Sequence, residues 1–212
     1  MSTASASLTR PHRSFAKPVL WTIAALAGIS VLIFTEYPLF LSHPISHTGA
    51  RLLKVWFILF PHALAGVLAT VIGPVQFSTR MRQRHLALHR LLGKVYVLCI
   101  CVAAPLAIVL ALHGPVLVNF TGDVSAALWL FCTLAAFLTA RNRQIQVHRQ
   151  WMIRSYAFTL NFIIARVLNP VPAYIGMSDD AFAVTLSFFA ILYLFIPDVY
   201  FSWRELTTRR RA

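Results

Sequence analysis

The chain has 212 residues, 58% of them hydrophobic and only 12% charged, with a mean hydropathy of +0.71. That is too apolar for a soluble domain, in which about 45–50% of residues are apolar, so the composition assigns an integral membrane protein. A formal charge of +13 would suggest nucleic acid in a soluble chain, but these cations stand between apolar runs and serve as topology signals, so nucleic acid is not expected as a partner.

Residues 1–17 form a basic, Ser-rich tail. The apolar run after it, 18–35, is followed by Glu36-Tyr37-Pro38 and not by a small-residue cleavage site, which makes it an uncleaved first span. A transit peptide is the alternative for a tail that contains no acid. A span takes about 20 mostly apolar residues, and six stretches qualify: 18–35, 54–77, 89–112, 122–140, 149–172 and 181–203, with a basic tail over 204–212. The expectation is an all-α bundle of six transmembrane helices.

Sixteen of the nineteen Lys and Arg fall on one side of that map. They are Arg10, Arg13 and Lys17, then Arg80, Arg82, Arg84, Arg90 and Lys94, then Arg141, Arg143, Arg149 and Arg154, and finally Arg204 and Arg209 to Arg211. Only Arg51 and Lys54 lie opposite, and Arg166 lies inside a span. The positive-inside rule then puts both termini in the cytoplasm, beside anionic lipid head groups.

The first outer loop, Glu36 to Leu53, holds His43 and His47, but Pro44 between them and the lack of a third ligand leave two solvated imidazoles as the better reading and no metal site. Cys99, Cys101 and Cys132 lie inside apolar runs with no C-x-x-C spacing, so they read as small buried hydrophobes. Trp21, Trp56, Trp151 and Trp203 fall near span ends, at headgroup level.

Three spans carry a face that lipid would not reward. At about 100° per residue, His62, Gly66, Ala69, Gly73, Gln76 and Arg80 share one line on the second span. His89, Gly93, Tyr96, Ala103, Ala107 and Ala111 share one on the third. On the fifth, His148, Ser155, Thr159 and Arg166 align, because 18 residues make about five turns. Small residues let helices approach and buried polar groups must find partners, so these faces turn inward. An inward Arg166, about 9 Å below its span end, would meet His62 at about 12 Å. Gln76, His89, His148, Arg154 and Asp198 gather at the cytoplasmic end, where the one acid is expected to pair with Arg154 or Arg80.

The stretch that organises these faces is His148-Arg149-Gln150-Trp151-Met152-Ile153-Arg154-Ser155-Tyr156. A weaker copy, His89-Arg90-Leu91-Leu92-Gly93-Lys94-Val95-Tyr96, stands 59 residues earlier. The chemistry of these histidines permits three roles: interfacial anchors that bond phosphates and cap helices; axial ligands of one cytoplasmic-side haem b, His89 with His148, with Tyr96, Ser155 and Arg154 nearby; or part of a pathway for lipid or a small anion drawn in by Arg154 and Arg166. A second haem pair, His62 with His113, fits less well, since His113 lies about 120° off the His89 face. No nucleotide-binding, hydrolase or metalloprotease motif is present, and no reaction is assigned. Oligomeric state is not legible.

Three segments, Gly73-Pro74-Val75-Gln76-Phe77, Leu88 to Tyr96 and His148 to Ala157, resemble in that order the bacterial predicted membrane proteins grouped as domain of unknown function 2306, over about residues 55–200. The resemblance implies a multi-pass protein of a bacterial inner membrane and implies no substrate. The chain is also loosely similar to b561-type dihaem membrane cytochromes at the level of architecture, and departs from them where an outer His pair should stand.

Overall fold

Helix is the only way for a lone apolar run to satisfy its backbone in lipid, and helix is what the runs form. The computed structural model describes residues 55–112, 116–168 and 177–209. The first predicted span, both histidines of the first outer loop, His113 and residues 210–212 lie outside the described residues. The helices are α1 (Trp56–Gln76), α2 (Thr79–Arg84), α3 (Leu86–Ala111), α4 (Val116–Arg141), α5 (Ile145–Leu168) and α6 (Asp179–Arg209).

Five of these correspond to predicted spans, with shifted ends. His89 and His148, expected to open their helices, are instead each the fourth residue of α3 and α5. The apolar residues Leu86 and Leu88, and Ile145 and Val147, extend each helix one turn beyond the hydrophobic boundary. α6 likewise runs on to Arg209 past residue 203, through a polar segment of helix-tolerant residues. The sixth element, α2, occupies what hydropathy alone leaves as a loop. Ser78 starts it by accepting a hydrogen bond from Met81 N–H at 3.3 Å, the role of an N-cap.

The join between α4 and α5 is equally local. Gln144 N–H donates to Thr139 O at 2.9 Å and Arg143 N–H to Ala140 O at 3.1 Å. Arg143 takes a φ of 59°, and the pair of bonds is a Schellman C-cap with Arg143 at its left-handed position. The chain can therefore reverse within a few residues and begin α5 at once.

α1, α3, α4 and α5 form a ring in which α1 packs on α3, α3 on α4, α4 on α5 and α5 back on α1. α3 and α5 thus face each other diagonally. α6 lies outside the ring in the groove between α4 and α5. Among the described residues, α1, α3, α4 and α6 (over Asp180–Thr207) are long and apolar enough to cross a membrane. α5, at 24 residues, has the length, about 36 Å, but is more polar, and its neighbours cover the polar side: Arg154, Ser155 and Thr159 are buried. Outward positions are Phe57, Phe60, Leu91, Leu98, Phe131, Leu138 and Phe195, more than half exposed in the isolated chain, as lipid-facing residues are. The arrangement is a polytopic all-helical bundle.

Candidate functional site

The centre of the ring is a dry layer of hydroxyls. Tyr96 Oη on α3 lies 3.0 Å from Ser155 Oγ and 2.9 Å from Thr159 Oγ1 on α5. α4 supplies the rest: Trp129 Nε1–H donates to Thr159 Oγ1 at 3.1 Å, and Thr133 Oγ1 lies 2.7 Å from Ser155 Oγ. Two of the hydroxyls also donate to backbone carbonyls of their own helices, Thr133 to Trp129 O and Thr159 to Ser155 O. All five side chains are at most 2% exposed. Four hydroxyls and one indole N–H supply five hydrogens for the six contacts just described, so one hydrogen must be shared. Trp129 and Thr133 are absent from the faces that the sequence picks out, although their i, i+4 spacing on an apolar helix is the kind of signal that could have found them.

Below this layer, toward the end that carries most of the described Lys and Arg (the basic end), Tyr156 plugs the seam between α5 and α1. Its hydroxyl donates to Thr70 O at 3.2 Å and its ring sits 5.6 Å from that of Phe77. Gly73 provides the space, since a Cβ there would overlap the Tyr156 ring.

At the basic end itself α3 and α5 bring their two histidines together. His148 Nδ1 is 2.8 Å from Ala136 O. A carbonyl only accepts, so Nδ1 carries the hydrogen, and in the neutral ring Nε2 keeps its lone pair. His89 is half-buried, and its Nδ1 is buried with no hydrogen-bond partner among the described residues. The charges that act on it come from Arg82, His148 and Arg90, all basic. Arg82, on α2, is in turn within reach of Arg149 on α5, and burial together with that second guanidinium lowers its pKa from the ordinary value. Gln76, the last residue of α1, is 6% exposed, and its Nε2 has no partner among the described residues. It faces Gly93 of α3, where a Cβ would make an ordinary contact, 3.5 Å from Gln76 Oε1.

One residue expected in this cluster points elsewhere. Arg154 pairs with Asp198 of α6, donates from Nε to Leu194 O at 3.2 Å, and holds its guanidinium carbon 4.8 Å from the Trp151 ring centroid. The pair clasps α6 to the ring and leaves Arg154 turned away from the histidines. His62 belongs to the other half of the bundle, 14 residues and about 21 Å along α1 from Gln76, where its Nδ1–H donates to Ala103 O at 2.8 Å. Arg166 lies on α5, but its side chain is outside the described residues, and so is any meeting with His62. One polar atom of this half has no counterpart in the sequence reading: Asp123 Oδ1 on α4 is buried without a partner among the described residues.

The chemistry available at the basic end is therefore donation and positive charge from four elements, with two buried nitrogens lacking partners among the described residues. No curated protein and no solved structure matches the chain. The family model for a predicted membrane protein, domain of unknown function 2306, matches residues 59–203, a span that contains the three motifs, the hydroxyl layer and the whole basic cluster; the chain belongs to that family.

Proposed function

We propose that this is a membrane-embedded binding protein that receives an anionic group at the basic end of the bundle, between α1, α2, α3 and α5. One observation carries the reading. Arg82, Arg90, Arg149, His89 and His148 converge there, while the buried donor Gln76 Nε2 has no acceptor among the described residues. Buried donors without acceptors are costly, and like charges crowded together repel; an anion relieves both. In this reading the basic end faces the cytoplasm of a bacterial inner membrane, as the sixteen cations on that side suggest. Reporter fusions at residues 45, 117, 145 and 212 test that orientation: the first two are expected outside and the last two inside, and any other order removes it. The binding reading is tested by thermal unfolding of the purified chain with and without added anions. Unchanged stability with every anion tried would sink it.

A second reading is favoured by His148, whose anchored Nδ1–H and free Nε2 lone pair are what an axial ligand needs. A haem b between His89 and His148 would supply one-electron chemistry, with Arg82, Arg90 and Arg149 placed to neutralise its propionates. Tyr96, Ser155 and Thr159 bond to one another and close the layer above, so a ring would have to lie below them, at the level of Gln76 and Gly93. Protein from haem-supplied cells is then expected to show a Soret band that is lost in His148→Ala. A colourless preparation leaves the anion reading alone.

A further inference from the structure

Resting on the anion reading, we infer that the group received at the basic end is a phosphate: Gln76, His89 and Arg82 hold a tetrahedral phosphate dianion from several sides. The geometry favours this class over a carboxylate. The donors come from separate elements: the Gln76 amide from α1, Arg82 from α2, His89 and Arg90 from α3, and Arg149 from α5. A carboxylate has two oxygens in one plane and is satisfied by a single guanidinium fork, whereas phosphate oxygens accept from all directions.

Charge points the same way. The charges of Arg82, His148 and Arg90 that act on His89 are basic, and Arg149 on α5 acts in turn on Arg82 of α2. Asp198, an acid at this end, is engaged with Arg154. A single negative charge would leave much of this repulsion in place, and a dianion offsets more of it. Gln76 adds a neutral N–H donor, with no charge to repel, beside Gly93 at the inner wall of the cluster.

The phosphate has two possible sources. Phe77, Leu88 and Leu91 beside the cluster are exposed, as suits residues in contact with acyl chains, so a lipid phosphate monoester could enter by its head. A soluble phosphate could enter from the aqueous side.

The test uses the full chain, purified in uncharged detergent and in nanodiscs, with thermal unfolding as the readout. One arm adds inorganic phosphate, with acetate at equal ionic strength as the carboxylate control. The other compares nanodiscs containing phosphatidic acid with nanodiscs of phosphatidylcholine alone. A rise of roughly 5 °C at saturating ligand is expected in at least one arm. A response in both supports recognition of the phosphate itself, a response to phosphatidic acid alone assigns the lipid source, and a response to inorganic phosphate alone assigns the soluble one. Arg82→Gln is expected to weaken the effect roughly tenfold, and Gln76→Leu to abolish it, while Arg141→Gln leaves it unchanged. Arg82 is on a short surface helix, so that variant folds even if Gln76→Leu does not. Equal stabilisation by acetate overturns the phosphate assignment and leaves the anion reading standing. A phosphate affinity undiminished in Arg82→Gln overturns the site. No effect of any anion overturns both.

Discussion

The ring of Tyr156 lies against Gly73, where α5 packs on α1. A Cβ at residue 73 would overlap the ring, which cannot swing away without breaking its hydroxyl's bond to Thr70 O. Gly73→Ala is therefore expected to destabilise the bundle by about 1–3 kcal/mol, the usual cost of overpacking. Gly66, on the same helix, has nothing within 4 Å of the position that a methyl group would take, so Gly66→Ala should be neutral or stabilising by up to about 1 kcal/mol. Thermal unfolding of the two variants side by side checks the contrast, and equal behaviour would mean that the seam is loose.

The hydroxyl layer is one hydrogen short, and that makes its variants unequal. Tyr96→Phe removes one hydrogen and two contacts, leaving four hydrogens for the four contacts that remain. Its cost should be about 1 kcal/mol. Thr159→Val instead removes a hydroxyl that accepts from the buried Trp129 Nε1–H and also contacts Tyr96 Oη, with an expected cost of about 2–3 kcal/mol. The double variant should be non-additive, since both residues share one network. A double-mutant cycle in detergent measures this; strict additivity would show that the two residues do not act through a common network.

Arg143 holds a φ of 59°, a conformation costly for a side chain and free for glycine. Arg143→Gly is expected to stabilise the α4–α5 turn by about 0.5–1 kcal/mol. The variant is a rare case in which removing a cation from a membrane protein should raise its unfolding temperature, and a fall would place the benefit of the charge above that of the turn.

Asp198 is 54% exposed and its partner Arg154 only 9% at the side-chain level, so the two ends of the ion pair are not equivalent. Asp198→Asn loses the screened attraction and leaves a buried cation with Leu194 O and the Trp151 ring as its remaining company. About 1 kcal/mol should be lost, with α6 loosened first. Hydrogen exchange resolved by segment checks this: protection should drop in the 192–203 stretch before it drops in α3, and a uniform drop would contradict a local clasp.

Much of this molecule is legible in its sequence. Lipid admits only apolar side chains outward, so hydropathy locates the helices and a 3.6-residue period reveals which face turns in. That reasoning places Tyr96, Ser155 and Thr159 on inward faces, sets Gln76, His89 and His148 at one end, and offers Arg154 as a partner for Asp198. The helix ends differ by a turn because helix propensity carries a helix past the hydrophobic boundary, as at Leu86 and Ile145.

What only the tertiary structure decided is which faces meet. That α3 and α5 stand diagonally, that α4 completes the hydroxyl layer with Trp129 and Thr133, and that Arg154 turns to α6 while Arg82 comes in from α2 beside the histidines all depend on packing between residues far apart in sequence. Each helix carries its own period, but the pairing of helices is fixed by many small contacts summed over whole faces, such as Gly73 under Tyr156 and Gly93 beside Gln76. A single helix cannot encode its neighbour, so the sequence determined an inward-facing polar set, and the fold alone determined which of its members gather at the basic end.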